Sequence, residues 1–102
     1  MWPDTRLIDL FGIELPIMQA PMANATGVEM AVAVAKAGGL GSLPCAMLSL
    51  DKIRTGVTEF RAQSNKPFNL NFFCHAAPAE DVAREQAWLT RLAPYYTALG
   101  AA

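Results

Sequence analysis

Charge is scarce in this chain. Asp, Glu, Lys and Arg make up 17% of its 102 residues, against about 25% in ordinary soluble domains. The eight basic and nine acidic residues are scattered and nearly cancel, leaving a formal net charge of −1. Without a basic stripe there is no electrostatic footprint for nucleic acid or for an anionic membrane surface. Cysteine is scarcer still. Cys45 and Cys74 make neither a Cys-x-x-Cys pair nor a zinc-ligand spacing, so the expectation is reduced cytosolic thiols and no metal centre. The uncharged runs at 15–28 and 37–50 are broken by Gly and Pro and are shorter than the ~20 apolar residues of a membrane helix. Met1-Trp2-Pro3-Asp4 lacks the basic start and apolar core of a signal peptide. A cytoplasmic location is therefore expected. No Walker loop or serine-nucleophile elbow occurs. Gly38-Gly39-Leu40-Gly41 closes a helix and opens a strand, the reverse of a dinucleotide fingerprint.

What is abundant is apolar surface, 53% of residues. With so little charge, one face of the domain is expected to be covered by something else. The apolar segments alternate in type. Residues 4–11 read as a short lead-in helix or turn stopped by Gly12, and Ile17–Ala20 as a first strand. Thr26-Gly27-Val28-Glu29 fits a capping box for a helix over 27–37, which Gly38 ends in the left-handed conformation. Leu40–Leu43 reads as a second strand closed by Pro44. Ser49 can cap a second helix carrying Leu50, Ile53, Val57 and Phe60 at helical spacing. Phe68–Phe73 reads as a third strand. Pro78, Glu80 and Asp81 open a third helix with an apolar face of Trp88, Leu89 and Leu92, and Pro94 is expected to kink or end it. The order βαβαβα with short connections means an α/β fold with a parallel sheet and right-handed crossovers. Three such strands leave a sheet edge unpaired, a surface open to self-association.

Pro16-Ile17-Met18-Gln19-Ala20-Pro21-Met22-Ala23 is the segment with the most chemical content. Proline stops the strand at its carboxyl end, where parallel α/β folds bind ligands. Ala20, Met22 and Ala23 offer backbone groups there, and Pro21 offers rigidity. Such a loop can read the polar edge of a planar heterocycle under the Met22 side chain, or it can be a tight turn with Met22 as core filler. Asn71 lies inside an apolar strand, where an amide needs a partner. Alternation puts Asn69, Asn71 and Phe73 on one face, so the Asn71 amide either bonds neighbouring backbone or faces a ligand. His75 is a candidate acid, base or ligand contact by position, although a solvated loop histidine is the commoner state. No basic group adjoins Cys45, and alternate side chains separate Cys74 from His75, so neither thiol is expected to be activated.

The 16–23 segment, then Ala35-Lys36-Ala37-Gly38-Gly39-Leu40-Gly41, then Pro67-Phe68-Asn69-Leu70-Asn71-Phe72-Phe73, in that order and spacing, resemble the start of nitronate monooxygenases. These are FMN-dependent TIM-barrel enzymes that oxidise alkyl nitronates with dioxygen to carbonyl compounds and nitrite. The resemblance extends along the whole chain. It implies that 1–102 is the amino-terminal part of an incomplete barrel, three βα units of the eight that a TIM barrel needs. It also implies that Ala20, Pro21, Met22, Ala23 and Asn71 contact FMN, while the catalytic histidine and the phosphate-binding loops belong to later strands. The isolated chain is then expected to hold FMN weakly or not at all. Two other readings stay open: a catalytically silent or edge-pairing module, and a barrel of the flavin-dependent enoyl-acyl-carrier-protein reductase type.

Overall fold

Pro16 and Pro21 bracket the first apolar segment and limit what it can do. The computed structural model, which describes residues 2–101, reduces the expected first strand to one parallel bridge between Met18 and Leu40. Gln19 N–H donates to the Leu40 carbonyl and Leu40 N–H to the Ile17 carbonyl, each at 2.9 Å. The next rung of a parallel ladder requires an N–H at position 21, which proline lacks.

The remaining elements follow in the order α1 (Arg6–Phe11), α2 (Val28–Lys36), β1 (Gly41–Pro44), α3 (Leu50–Gln63), β2 (Phe68–Asn71) and α4 (Val82–Leu99). Strands β1 and β2 are parallel, with Gly41 opposite Phe68 and Pro44 opposite Asn71. Backbone groups alternate along a strand. Leu40 and Ser42 turn theirs towards the Met18 segment, while Cys45 N–H reaches the Asn71 carbonyl at 2.9 Å. β1 is therefore central, and the expected α/β arrangement of parallel strands is present. β2 is shorter than expected and ends at Asn71, since Phe72 and Phe73 gain no ladder partner.

Helices α2 and α3 cover one face of these strands. Ala31, Val32 and Ala35 from α2 meet Leu43, Cys45 and Phe60 in the core, with Ile53 and Phe68 against them. Phe60 stacks on Phe68 with ring centroids 4.0 Å apart, and the Arg61 guanidinium lies 4.6 Å from the Phe68 ring centre. The α2 backbone comes so close to β1 that a Cβ on Gly41 would stand 2.2 Å from the Ala31 carbonyl oxygen. Gly38, at φ +97°, makes the turn between them.

Helix ends agree with the sequence only in part. Gly12 (φ 64°) stops α1 and Ser49 caps α3 by accepting the Lys52 N–H. The capping box at α2 does not form. Gly27 is the cap residue, without a side-chain bond, because the Thr26 hydroxyl is engaged with Met22. Helix α4 starts at Val82, capped by Asp81, rather than at Pro78. Pro94 lies inside α4 and does not end it. The carbonyl that loses its N–H partner there faces water, which lowers the cost.

The third helix does not cover the sheet. α4 contains no buried residue and stands off on the extended segment 72–81. The radius of gyration is 19.9 Å, against about 13 Å for a compact chain of this length.

Candidate functional site

The carboxyl ends of the parallel strands converge on two groups of residues. The first is the loop after the Met18 bridge. Ala20 is level with Ser42 and Asn69 across the strands, two residues beyond the Met18–Leu40 pair. From Ala20 the chain enters a turn held by Thr26. Met22 N–H donates to Thr26 Oγ1 at 3.1 Å, and that hydroxyl donates to the Met22 carbonyl at 3.2 Å. The same carbonyl accepts from Ala25 N–H and Thr26 N–H. Asn24 completes the turn at φ 61°, a left-handed conformation that asparagine tolerates. Met22 is thus pinned through its backbone while the residue remains 48% exposed. The Ala20 and Ala23 N–H groups have no partner among the described residues.

The second group is on β2. Register places Asn69 beside Ser42 and Asn71 beside Pro44, on the face opposite the Leu43–Phe60 core, as alternation predicts. Asn69 Nδ2 lies 3.4 Å from Ser42 Oγ. The half-buried Asn71 amide makes no side-chain hydrogen bond within the described residues, while its carbonyl is used by Cys45. Of the two readings of Asn71, a side chain tied to neighbouring backbone is not what the fold contains.

His75 lies on the extended segment after β2, exposed, its ring centre 5.7 Å from that of Phe73. No acidic or nucleophilic side chain bonds it there. Cys45 is buried and Cys74 exposed, both as free thiols. Burial pushes the Cys45 thiol above its ordinary pKa, partly offset by its backbone bond to Asn71, the opposite of nucleophile activation. No group of three His, Cys, Asp or Glu side chains suited to a metal occurs among the described residues. No helix there is long and apolar enough to cross a membrane.

Two functional features are not evident from residue types alone. One is Thr26, whose spacing from Glu29 suggests a cap but whose hydroxyl fixes the Met22 loop. The other is Gln19, 8% exposed. Its Nε2 donates to the Ser42 carbonyl at 3.2 Å and its Oε1 accepts the Ser42 N–H at 3.1 Å. A glutamine two residues before a strand-ending proline is the available signal for this role.

The family model for nitronate monooxygenase matches residues 4–100. The chain belongs to the nitronate monooxygenase family. The nitronate monooxygenase of Paraburkholderia phytofirmans is 47% identical over 95 residues, covering 93% of this chain and 26% of that protein. The chain thus spans about a quarter of the length of the curated relatives it matches. Among solved structures, nitroalkane oxidase from Streptomyces ansochromogenes superposes with a TM-score of 0.72 at 30% identity, over 93% of this chain and 26% of that one. FabK from Thermotoga maritima superposes with a TM-score of 0.66 at 37% identity, over 70% and 23%.

The family's cofactor can be tested against these residues. Two unpaired backbone N–H donors, an unpartnered carboxamide and a half-exposed thioether suit the rim and face of a flavin ring. They present no cation for its phosphate. The chain fits the ring half of such a site.

Proposed function

We propose that this chain forms the first three βα units of an FMN-binding TIM barrel. The complete protein oxidises alkyl nitronates with dioxygen to carbonyl compounds and nitrite. What supports this reading, in a family member, is that the Ala20 and Ala23 N–H groups and the Asn71 amide, unpartnered among the described residues, lie at the carboxyl ends of the two parallel segments that flank β1. In (β/α)8 barrels that is the catalytic end.

FMN, when bound, supplies the redox chemistry. The part of this chain is orientation. The Ala20 and Ala23 amides donate to acceptors on the ring edge, and Asn71 offers both a donor and an acceptor. The Thr26 clamp and the Pro21 ring keep the loop from relaxing, so little ordering entropy is lost on binding. Met22 covers ring surface and excludes water. His75 has no role in this reading.

Nitronate-dependent oxygen uptake by the complete protein, with the bound flavin read from its visible spectrum, tests the proposal. Asn71→Ala is expected to lower flavin retention and oxygen uptake together. Full flavin binding and full activity in Asn71→Ala and Ala23→Pro variants would sink it. The likeness to FabK supports a second reading, a barrel of the flavin-dependent enoyl-acyl-carrier-protein reductase type. Activity on an enoyl thioester, with no oxygen uptake on nitronates, would favour it.

A further inference from the structure

A cavity of about 340 Å³ opens between α2 and α3, beside the end of β1; Ala20, Pro21, Met22, Ala23 and Asn71 do not line it, whereas Asn24 and Thr26 of the adjoining loop do. Its walls are Val28, Leu43, Cys45 and Ile53, with Gly56 between them. The volume falls within the range of small-molecule sites, about 300–1,000 Å³. Gly56 stands in the middle of α3, where glycine costs about 1 kcal/mol relative to alanine. Packing does not demand it: a Cβ there would meet Val28 Cγ2 at 3.5 Å and Leu43 Cδ1 at 3.7 Å, ordinary contacts. What the missing side chain preserves is open space. Gly41, by contrast, faces a backbone carbonyl and has no such freedom.

The rim carries two charged side chains, Lys52 and Glu59. Lys52 makes no ion pair among the described residues. Glu59 is two helical turns further along α3, about 10 Å away, a separation over which salt largely screens exposed charges. An apolar trough with a free ammonium at one end fits an alkyl chain ending in an anion.

We propose that this cavity binds an aliphatic monocarboxylate, its chain over Val28, Leu43 and Ile53 and its carboxylate beside Lys52. The site adjoins the flavin platform, sharing Asn24 and Thr26 with the loop that pins Met22, while its apolar walls lie on the face of the strands opposite Asn69 and Asn71.

Amide chemical shifts of the 102-residue chain titrated with sodium hexanoate test this, with 1-hexanol and sodium acetate as probes lacking the charge or the chain. Saturable shifts at Val28, Leu43 and Gly56 are expected with hexanoate, and weaker binding with each of the other two. Lys52→Gln is expected to weaken hexanoate about threefold, the scale of an exposed ion pair, and to leave hexanol unchanged. Gly56→Leu, which fills the cavity, is expected to abolish binding of both while circular dichroism confirms the fold. Should Gly56→Leu fail to fold, Gly56→Ala serves instead, expected to bind more weakly and melt higher. The proposal is overturned if no shift saturates, if the shifts centre on Trp88 and Leu89 of α4, or if neither Lys52→Gln nor the Gly56 variants change affinity.

Discussion

The Gln19 side chain takes the place beside Ser42 that a peptide group at Pro21 leaves empty. Its carboxamide accepts the Ser42 N–H and donates to the Ser42 carbonyl, at 3.1 and 3.2 Å, and Ser42 is fully buried. The strand can therefore end in a rigid proline loop without stranding a buried peptide group of β1. Gln19→Ala leaves both Ser42 groups unpaired, and we expect a loss of about 2–4 kcal/mol on denaturant unfolding. Adding Pro21→Ala restores an N–H at position 21 and should recover part of that loss. Additive effects in the double-mutant cycle would refute the substitution of one amide for the other.

The glycines of β1 and α3 should respond to alanine with opposite signs. Gly41→Ala forces a methyl to within 2.2 Å of the Ala31 carbonyl oxygen, so α2 must lift from the strand. A cost of about 3 kcal/mol or more is expected, at the upper end of core overpacking. Gly56→Ala gains about 1 kcal/mol of helix propensity. Thermal melts of the two variants give the comparison directly.

Thiol labelling should distinguish the cysteines. Cys74 is exposed, whereas Cys45 is buried with its pKa raised by that burial. Iodoacetamide at neutral pH is expected to modify Cys74 first, and Cys45 only when denaturant opens the core. Mass spectrometry of timed digests reads the order. Equal rates in buffer would mean that the α2–α3 layer does not hold Cys45 down.

Acid should act through Glu14. The Lys66 ammonium bonds it across the sheet's amino-terminal end and holds its carboxyl below the usual glutamate value. A depressed folded-state pKa contributes stability that is complete above the unfolded value, near 4.5, and is lost as pH falls through the folded value. The pair is exposed, so the effect is small and shrinks with salt. Glu14→Gln should therefore lower stability slightly at neutral pH, where the contribution is complete, and leave it unchanged below the folded value, so that the acid limb of the curve flattens.

Much of the fold follows from local signals that nothing distant opposes. Ile53 and Phe60 set the α3 face, with Leu50 left exposed, and Ser49 sets its start. Gly38 and Gly12 mark turns that need positive φ. Asn71 is evident as an amide in an apolar strand, and its face follows from period two. The departures are places where a local rule met a competing partner. Thr26 has the spacing of a cap, but the Met22 peptide lies closer to its hydroxyl. The Ile17–Ala20 strand has the right composition but loses its second rung to Pro21. α4 carries the expected apolar stripe with nothing in the described residues to receive it, because β2 is the last strand among them and one edge cannot seat a helix.

That edge gives the last expected behaviour. Asn71 directs its carbonyl to Cys45, so by alternation Leu70 turns its N–H and carbonyl outward, along an edge with no partner among the described residues. Unpaired edges template association, and exposed Phe72 and Phe73 beside this one add apolar area. Sedimentation velocity of the 102-residue chain should show mass rising with concentration. Leu70→Pro deletes the outward donor while leaving the β1–β2 bonds in place, so it should weaken association without lowering the melting temperature much. If the variant associates as strongly as the parent chain, the contact runs through the apolar stripe of α4, and Trp88→Glu with Leu89→Lys should then abolish it.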